Sequence, residues 1–250
     1  MEYRKLGKTE LEMSLLGLGG FHLLEIELST VKAIVKRYVD AGGNYFETAR
    51  SYGNGNSERK LSKALPKSGI ILATKTGNRS FEGSREELLA SLKDLNRDHV
   101  DILFLHAVTD NDHWEQIIST NGALNTLEWA KREGLVRYAG ITSHGYGGTL
   151  LRALNEYSFD LFMTQFNYYD RFNFPEIEFK VLPYAISNMI GAISMKPLAD
   201  GYLWRSTYNA FRYVKTLPVS CIVSGINSVE QLEMDLEALK SPAIDRKSVV

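Results

Sequence analysis

Short apolar segments that suit β-strands alternate with amphipathic segments that suit α-helices along almost the whole chain. The strand candidates are Leu15–Gly20, Asn44–Glu47, Ile70–Lys75, Val100–His106, Val136–Thr142, Leu161–Phe166, Ile190–Lys196 and Ser220–Val223. Strict alternation of strand and helix predicts parallel strands. Eight such units in 250 residues match the size of an α/β fold of the (β/α)8 type, the TIM barrel. An open doubly wound sheet is the alternative, but the even spacing and uniform composition favour one barrel domain over residues 1–250.

Serines mark the predicted starts of four helices, either as N-caps or as the first residue of a capping box. They are Ser29, Ser57, Ser84 with Glu87, and Ser228 with Gln231. The other helix candidates are Leu124–Glu133, Thr149–Tyr157, Glu176–Asn188 and Asn209–Thr216. Residues 1–13 are mostly polar and predict a small hairpin with its turn at Gly7-Lys8. The last helix is expected to extend through Leu239, so residues 240–250 would form a shortened C-terminal tail.

Charge and cysteine content restrict the partners that this chain is expected to bind. The formal net charge is -1, which argues against a nucleic acid or an anionic membrane as partner. The single cysteine, Cys221, excludes an internal disulfide and any zinc or iron–sulfur site built from several thiolates. The charged N-terminus does not resemble a signal peptide, and no apolar run approaches ~20 residues. These features predict a cytoplasmic protein without a membrane span or a bound metal.

Four chemically active side chains are predicted at one rim of the barrel. Glu47 ends the second strand candidate, Tyr52 follows in its loop, and Lys75 and His106 end the third and fourth. Active sites of such barrels form at the carboxyl ends of the strands. Taken singly, a tyrosine near a turn usually packs and a glutamate at a strand end is usually solvated. Together, the four groups indicate a site that donates a proton.

Six segments, in the same order as in the family, resemble the aldo-keto reductases. They are GGNYFETARSYGNGNSE, ILATKTG, VDILFLHAV, GLVRYAGITSHG, FMTQFNYYDR and MKPLADG. The resemblance implies a (β/α)8 barrel that reduces small aldehydes or ketones with a nicotinamide coenzyme, usually NADPH. The Met-Lys-Pro-Leu sequence is similar to a branch of the family that carries an iron–sulfur segment, whose cysteines are absent here.

The family's catalytic Asp, Tyr, Lys and His correspond to Glu47, Tyr52, Lys75 and His106, with Tyr52 as the proton donor. A neighbouring Lys75 ammonium is expected to lower the pKa of Tyr52, and His106 is expected to orient the substrate carbonyl. Glu47 stands where the family has aspartate, and its side chain is longer by one methylene. A misplacement of about 1 Å can reduce a rate on the order of 10²-fold, so either the enzyme is slow or the backbone adjusts to the longer side chain.

The resemblance also implies a coenzyme site along the later strands. Ser143 and Gln165 would hold the nicotinamide carboxamide, while His144 stands where the family often has Asn and Met195 where it often has an aromatic residue. The other implied contacts are Lys196, Pro197, Leu198, Ser224, Gly225, Asn227, Gln231 and Asp235. Lys196 would approach the pyrophosphate or would be solvated. Few cations and two anions, Glu233 and Asp235, lie near the expected adenosine phosphate, an arrangement that disfavours the 2′-phosphate of NADPH. The resemblance nevertheless implies NADPH, with NADH as the alternative.

Three functions remain open at this stage. The first is an NAD(P)H-dependent carbonyl reductase, the second a coenzyme-binding regulatory or interaction protein with little turnover, and the third a barrel without a coenzyme. The short C-terminal tail predicts an open substrate pocket. Its candidate lining residues, which would otherwise pack, are Phe21, His22, Tyr168 and Trp114, the last within a loop from Val108 to Thr120. Neither the substrate nor the oligomeric state follows from the sequence.

Overall fold

The N-terminal segment forms the predicted hairpin. The structure, a computed structural model, describes residues 1–244 of the chain. Strand β1 (Tyr3–Lys5) pairs antiparallel with β2 (Glu12–Ser14), and the turn between them includes Gly7 with a φ of +50°. Leu6, Leu11 and Met13 are buried in the cluster that fills the barrel. The hairpin therefore closes one end of the barrel with apolar side chains.

Eight parallel strands follow and close into the predicted barrel. They are β3 Leu16–Gly19, β4 Tyr45–Glu47, β5 Ile71–Thr76, β6 Val100–Leu105, β7 Val136–Thr142, β8 Leu161–Gln165, β9 Gly191–Met195 and β10 Cys221–Gly225. Neighbours in sequence are neighbours in the sheet, and β10 pairs with β3 through Ile222 and Leu16. The closed sheet has no free edge, and all eight strand predictions are confirmed to within about two residues at each end.

Ten α-helices lie within residues 1–244, nine of them between strands and the last after β10. They are α1 Leu28–Asp40, α2 Asn56–Ser62, α3 Phe81–Leu95, α4 Asn111–Ile118, α5 Leu124–Arg132, α6 Gly147–Glu156, α7 Asp170–Asn173, α8 Leu182–Ser187, α9 Thr207–Lys215 and α10 Val229–Lys240. Short 3-10 segments, Phe21–Glu25, Ala199–Gly201 and Trp204–Ser206, and a π-helical turn, Ile177–Val181, complete the connections. Within residues 1–244, none of the helices has both the length and the apolar character needed to cross a bilayer.

Three of the four predicted helix starts are wrong. Helix α1 begins one residue before Ser29, and α2 begins one residue before Ser57. Helix α3 is capped by Ser80, whose Oγ accepts a hydrogen bond from the Gly83 amide, so Ser84 lies inside the helix. The Ser57 hydroxyl instead donates to the Gly20 carbonyl, a contact between distant segments that a local capping pattern does not contain. Only Ser228 caps its helix as predicted, by accepting from the Gln231 amide.

The segment from Val108 to Thr120, predicted as a loop, contains helix α4. Asp110 caps this helix by accepting from the His113 amide at 2.8 Å. Trp114 is fully buried within it, and its Nε1 donates to Glu156 Oε2 at 2.7 Å. The first turn of this helix is polar, so the sequence there lacks the repeat of apolar residues that predicts a helix. Trp114 therefore packs between helices and does not line an open pocket.

Candidate active site

The two-residue alternation of the barrel strands places the predicted groups on one rim. Tyr45, Ala73 and Phe104 fill the barrel interior on three adjacent strands. Because side chains alternate along a strand, the residues two positions further on face the same interior, at the carboxyl end. Those residues are Glu47, Lys75 and His106. The catalytic candidates thus form the uppermost layer of the barrel interior.

Lys75 is the centre of this cluster. Its side chain is 2% exposed, and its Nζ donates to the Tyr52 hydroxyl at 2.9 Å and to the Thr48 carbonyl at 3.0 Å. The same Nζ forms an ion pair with Oε1 of Glu47, which is 4% exposed. The longer glutamate side chain therefore reaches the lysine. Burial of a carboxylate and an ammonium together is tolerated because each is the other's counter-charge.

Tyr52 also approaches the carboxylate. Its hydroxyl lies 3.4 Å from Glu47 Oε1, so the phenol has a second polar neighbour besides Lys75. The tyrosine ring meets the rings of Phe21 and His106 edge-on, with centroids 5.2 and 5.7 Å apart. The Lys75 ammonium lies 4.5 Å from the centre of the Tyr52 ring. Through these contacts, the side chains of Glu47, Tyr52, Lys75 and His106 form one cluster.

Burial sets the protonation of these groups. It raises the pKa of Tyr52 to about 12, which corrects the expected lowering by Lys75. Burial also lowers the pKa of Lys75 well below its usual range, because removal from water disfavours the ammonium, while the Glu47 carboxylate in contact with its Nζ favours the charged form. The pKa of His106 falls to about 2, first through burial and then through the positive charge of Lys75. At neutral pH, Tyr52 is therefore a protonated phenol and His106 a neutral imidazole.

The backbone at His106 is held by groups that the sequence did not single out. Arg79 Nη1 donates to the His106 carbonyl at 2.7 Å and Nη2 to the Ala107 carbonyl at 2.9 Å. Ala107 has a φ of +52°, a conformation unfavourable for a residue with a Cβ, and its amide donates to Thr142 Oγ1. Ser51 Oγ lies 3.2 Å from His106 Nδ1. Only the adjacency of Ser51 to Tyr52 was visible in the sequence.

The family assignment agrees with this geometry. Residues 15–239 match the sequence profile described as the Aldo/keto reductase family. The chain belongs to this family.

Curated relatives of this aldo/keto reductase include named oxidoreductases. The uncharacterized oxidoreductase YqkF of Bacillus subtilis is 31% identical over 217 residues, which cover 81% of this chain and 67% of the relative. L-galactose dehydrogenase of Arabidopsis thaliana is 31% identical over 220 residues, with the same coverage. The chain thus spans about two thirds of the length of these relatives. Together with the family match, they support carbonyl oxidoreduction in general and a nicotinamide coenzyme as the group that the family uses.

A solved structure confirms the fold of this aldo/keto reductase. The aldo-keto reductase AKR11C1 from Bacillus halodurans, in its holo form, superposes with a TM-score of 0.82 at 23% identity. The similarity covers 100% of this chain and 94% of that chain. At this level of identity the comparison supports the barrel architecture alone.

The predicted carboxamide contacts lie at the ends of β7 and β8. Ser143 is fully buried, and its Oγ has no hydrogen-bond partner among residues 1–244. Gln165, which is 6% exposed, lies two residues beyond Met163 and so faces the same interior layer as Lys75. His144 is half-buried, and burial, followed by the charge of Lys196, lowers its pKa to about 4. A buried hydroxyl without a partner, on the strand next to one that ends in a primary amide, fits a small polar ligand group.

The end of β9 contains the Met-Lys-Pro-Leu sequence. Met195 is buried at the top of the barrel, and Pro197 is buried behind it, whereas Leu198 is half-buried. Lys196 forms an ion pair with Asp200, with Nζ and Oδ2 2.7 Å apart. Lys196 is therefore neither free nor fully solvated in this structure.

The last strand and α10 carry the remaining predicted coenzyme contacts. Buried Ser224 hydrogen-bonds Asp235, whose pKa burial raises to about 7. The Gln231 side chain accepts from the Asn227 amide at 3.0 Å, so part of the helix N-terminus is satisfied internally. Gly225 is exposed and lies against the ring of His22. These residues form a set around the N-terminus of α10.

Glu233 and Asp235, the two anions expected near this helix, would repel a phosphate less strongly than the sequence indicates. Glu233 forms an ion pair with Arg37, whose Nε lies 2.5 Å from Glu233 Oε1. Asp235 is buried, and its pKa, raised to about 7, leaves a substantial fraction of this carboxyl neutral near pH 7. A phosphate at this end of the helix would therefore meet weaker repulsion than two solvated carboxylates would produce.

The candidate pocket residues separate into two groups. Phe21 is 52% exposed against the Tyr52 ring, and His22 lies over Gly225, so both border the site. Tyr168 packs against the core between strands and helices, as does Trp114. A separate groove of about 490 Å³ contains none of the predicted catalytic or coenzyme-contact residues, although Glu233 borders it; it is lined by Met1, Glu2, Leu15, Arg37, Asp40, Ala41, Lys215, Glu233, Leu236, Leu239 and Lys240.

Proposed function

We propose that this chain is an NAD(P)H-dependent carbonyl reductase in which Tyr52 donates the proton. The observation that carries the proposal is the contact of the Lys75 Nζ with both the Tyr52 hydroxyl, at 2.9 Å, and the Glu47 carboxylate. An ammonium beside a phenol stabilises the phenolate that remains after proton transfer. The placement of His106 next to the Tyr52 ring supports the same reaction.

The raised pKa of Tyr52, about 12, keeps the phenol protonated until the substrate needs the proton. Reduction of a carbonyl group makes its oxygen strongly basic, much more basic than a phenolate. The proton then passes from Tyr52 to that oxygen, and Lys75 stabilises the phenolate. A neutral His106 donates a hydrogen bond to the same oxygen and orients it. A positioned acid of this kind contributes about 10²–10⁴ to the rate.

The residues of the later strands fit a nicotinamide coenzyme, which supplies the hydride when bound. The unpartnered Ser143 hydroxyl and the Gln165 amide would hold the carboxamide. Met195 would lie against the nicotinamide ring. Ser224, Gly225 and the start of α10 would lie along the adenosine phosphate. Pairing of Glu233 with Arg37 and protonation of Asp235 are compatible with NADPH, the expected coenzyme, and NADH is the alternative.

The proposal is tested by mixing excess protein with NADPH and a reactive aromatic aldehyde. Oxidation of the coenzyme is followed by the absorbance of reduced nicotinamide, with NADH in a parallel series. We expect oxidation that depends on the aldehyde, and the faster coenzyme identifies the preference. If the protein binds either coenzyme but no carbonyl in a broad panel oxidises it, the reductase assignment is wrong.

One contact favours a second candidate, a coenzyme-binding regulatory or interaction protein with little turnover. Glu47 Oε1 lies 3.4 Å from the Tyr52 hydroxyl and so competes with the substrate oxygen for the phenolic proton. The variant Glu47→Asp withdraws this acceptor by one methylene. An increase in the single-turnover rate of Glu47→Asp would show that Glu47 restrains turnover, while an unchanged or lower rate would argue that the site is adapted to glutamate.

A further inference from the structure

Ser51 makes a polar contact that distinguishes the two ring nitrogens of His106. Its Oγ lies 3.2 Å from Nδ1. The contact crosses from the loop after β4 to the end of β6, 55 positions apart in sequence. Ser51 is exposed, so its hydroxyl is not required by the core. The Arg79 contacts described above fix the backbone at His106, and the Tyr52 ring restrains the imidazole plane, but neither selects a ring nitrogen.

The distinction matters because a neutral imidazole has one N–H. The burial of His106 keeps its imidazole neutral at working pH, so only one of the two nitrogens donates. With Nδ1 directed to Ser51, Nε2 is the nitrogen left for a substrate oxygen. An N–H at Nε2 requires Nδ1 to be the acceptor, and the serine hydroxyl, which can donate or accept, is then the donor. The second hydrogen bond of a histidine commonly selects its tautomer in this way.

We propose that Ser51 is a positioning residue that donates its hydroxyl proton to His106 Nδ1 and thereby keeps the ring proton on Nε2. The use of that Nε2 proton, as a hydrogen bond to the substrate carbonyl, rests on the proposed function. The tautomer itself does not, because it is a property of the protein alone. A serine beside the proton donor thus controls the second hydrogen-bond donor of the site.

The tautomer is tested directly by NMR of the full chain labelled with ¹⁵N-histidine. The chain has five histidines, so His106 is assigned by comparison with a His106→Gln variant. In the unmodified protein at pH 7.5, we expect a pyridine-type shift at Nδ1 and a pyrrole-type shift at Nε2. Ser51→Ala should move both shifts toward an average of the two tautomers, and Ser51→Thr, which retains the hydroxyl, should restore them.

The kinetic measurement uses the same variants. Loss of one hydrogen bond of ordinary strength corresponds to about 0.5–1.5 kcal/mol, so Ser51→Ala should lower kcat about 2- to 10-fold and Ser51→Thr should recover it. Ser62→Ala is the matched control, because Ser62 Oγ donates to the Arg59 carbonyl away from the site, and it should change neither the shifts nor kcat.

Two NMR results would overturn the proposal: a proton on Nδ1 of His106 in the unmodified protein, or unchanged His106 shifts in Ser51→Ala. A protein that shows the expected shifts but oxidises no coenzyme with any carbonyl would retain Ser51 as the residue that sets the tautomer. In that case only the proposed function would fail.

Discussion

Lys75, on the β4–β6 side of the rim, and Ser143, on its β7–β10 side, are both buried polar residues, but they differ in the contacts that they make. On the first side, Lys75 contacts Glu47, Thr48 and Tyr52 at once. On the second side, the Ser143 hydroxyl is buried without a partner among residues 1–244. A site that moves a proton benefits from groups already fixed in place, whereas a site that binds a ligand must leave hydrogen-bonding capacity unused. The difference agrees with proton transfer on one side and coenzyme binding on the other.

The two sides of the rim also differ in the partner of their buried carboxyl group. Glu47 and Asp235 are each 4% exposed. Glu47 has the Lys75 ammonium as its partner, while Asp235 hydrogen-bonds the neutral Ser224 hydroxyl, and its pKa rises to about 7. A hydroxyl offsets less of the cost of burying a carboxylate than an ammonium does. Burial opposes charge on both sides, but on the β4–β6 side the buried carboxyl has an oppositely charged partner and on the β7–β10 side it has a neutral one.

The largest effect is expected from Tyr52→Phe, which removes the proton donor but keeps the ring contacts with Phe21 and His106. We expect kcat to fall about 10²–10⁴-fold, with the coenzyme Kd changed less than about 2-fold. Steady-state kinetics and fluorescence titration of the coenzyme measure the two quantities. Tyr208→Phe, at an exposed site, is the control. Normal turnover in Tyr52→Phe would contradict the assignment of proton transfer to the β4–β6 side.

Glu47→Gln should be the most damaging change to stability. It leaves the Lys75 ammonium buried without its counter-charge, and breaking a buried pair typically costs about 3–5 kcal/mol. Urea unfolding, which gives the free energy of unfolding, measures the loss. Glu86→Gln, at an exposed position, should lose less than about 0.5 kcal/mol. If the two variants had the same free energy of unfolding, the ion pair between Glu47 and Lys75 would not be what stabilises the β4–β6 side.

Asp235→Asn should alter the pH dependence of stability. Because burial raises the pKa of Asp235 from its ordinary value of 3.8 to about 7, the folded protein binds this proton more tightly than the unfolded chain. The resulting stability is present below about pH 4 and is lost as the pH rises through about 7. An asparagine side chain does not titrate, so its contribution to stability does not fall as the pH rises. Between pH 5 and 8, the variant should therefore be more stable than the unmodified protein, by on the order of 2–4 kcal/mol.

Thermal unfolding at a series of pH values measures this difference in Tm. Asp98→Asn, at an exposed position, is the control and should show a constant offset. A parallel pH dependence in Asp235→Asn and the unmodified protein would contradict the assignment of a neutral buried acid to the β7–β10 side.

The smallest effect is expected from Ser143→Ala. The hydroxyl has no partner within the described chain, so its removal should leave the free energy of unfolding unchanged or slightly higher. The coenzyme should bind about 2- to 10-fold more weakly, since one hydrogen bond to the carboxamide is lost. Calorimetric titration measures the affinity, with Ser119→Ala as control. Loss of stability without loss of affinity would mean that Ser143 serves packing and not ligand binding.

Much of the site was predictable because it depends on local sequence. Glu47, Lys75 and His106 each end a strand, and the two-residue period determines which side of the strand they occupy. The pKa of Tyr52 was predicted in the wrong direction because the depth of burial depends on Phe21 and on the surrounding rim. Desolvation is a property of the assembled site, and it outweighed the expected effect of the lysine charge.

The predicted helix starts also show where a local sequence pattern is sufficient and where it is not. The cap at Ser228 was predicted correctly because its hydroxyl bonds the amide of Gln231 three residues later. Ser57 and Ser84 fit the same local pattern, but the Ser57 hydroxyl bonds the distant Gly20 carbonyl. The Ser84 hydroxyl lies inside α3, where it donates to the Ser80 carbonyl one turn earlier and also contacts Thr126 of α5. A capping pattern describes only the competition within one turn, so contacts between elements override it.

The sequence by itself determined the order of the eight strands and the identity of the four groups expected at their carboxyl ends, because periodicity and strand ends are local properties. Even spacing favoured a closed barrel over an open sheet, but the closure itself is a tertiary contact between β10 and β3. The tertiary structure decided how those groups behave: that Glu47 reaches Lys75, that His106 is held by Arg79 and Ser51, and that Asp235 is a buried acid. These outcomes depend on distances between separate strands and on exclusion of water, which exist only once the barrel has closed.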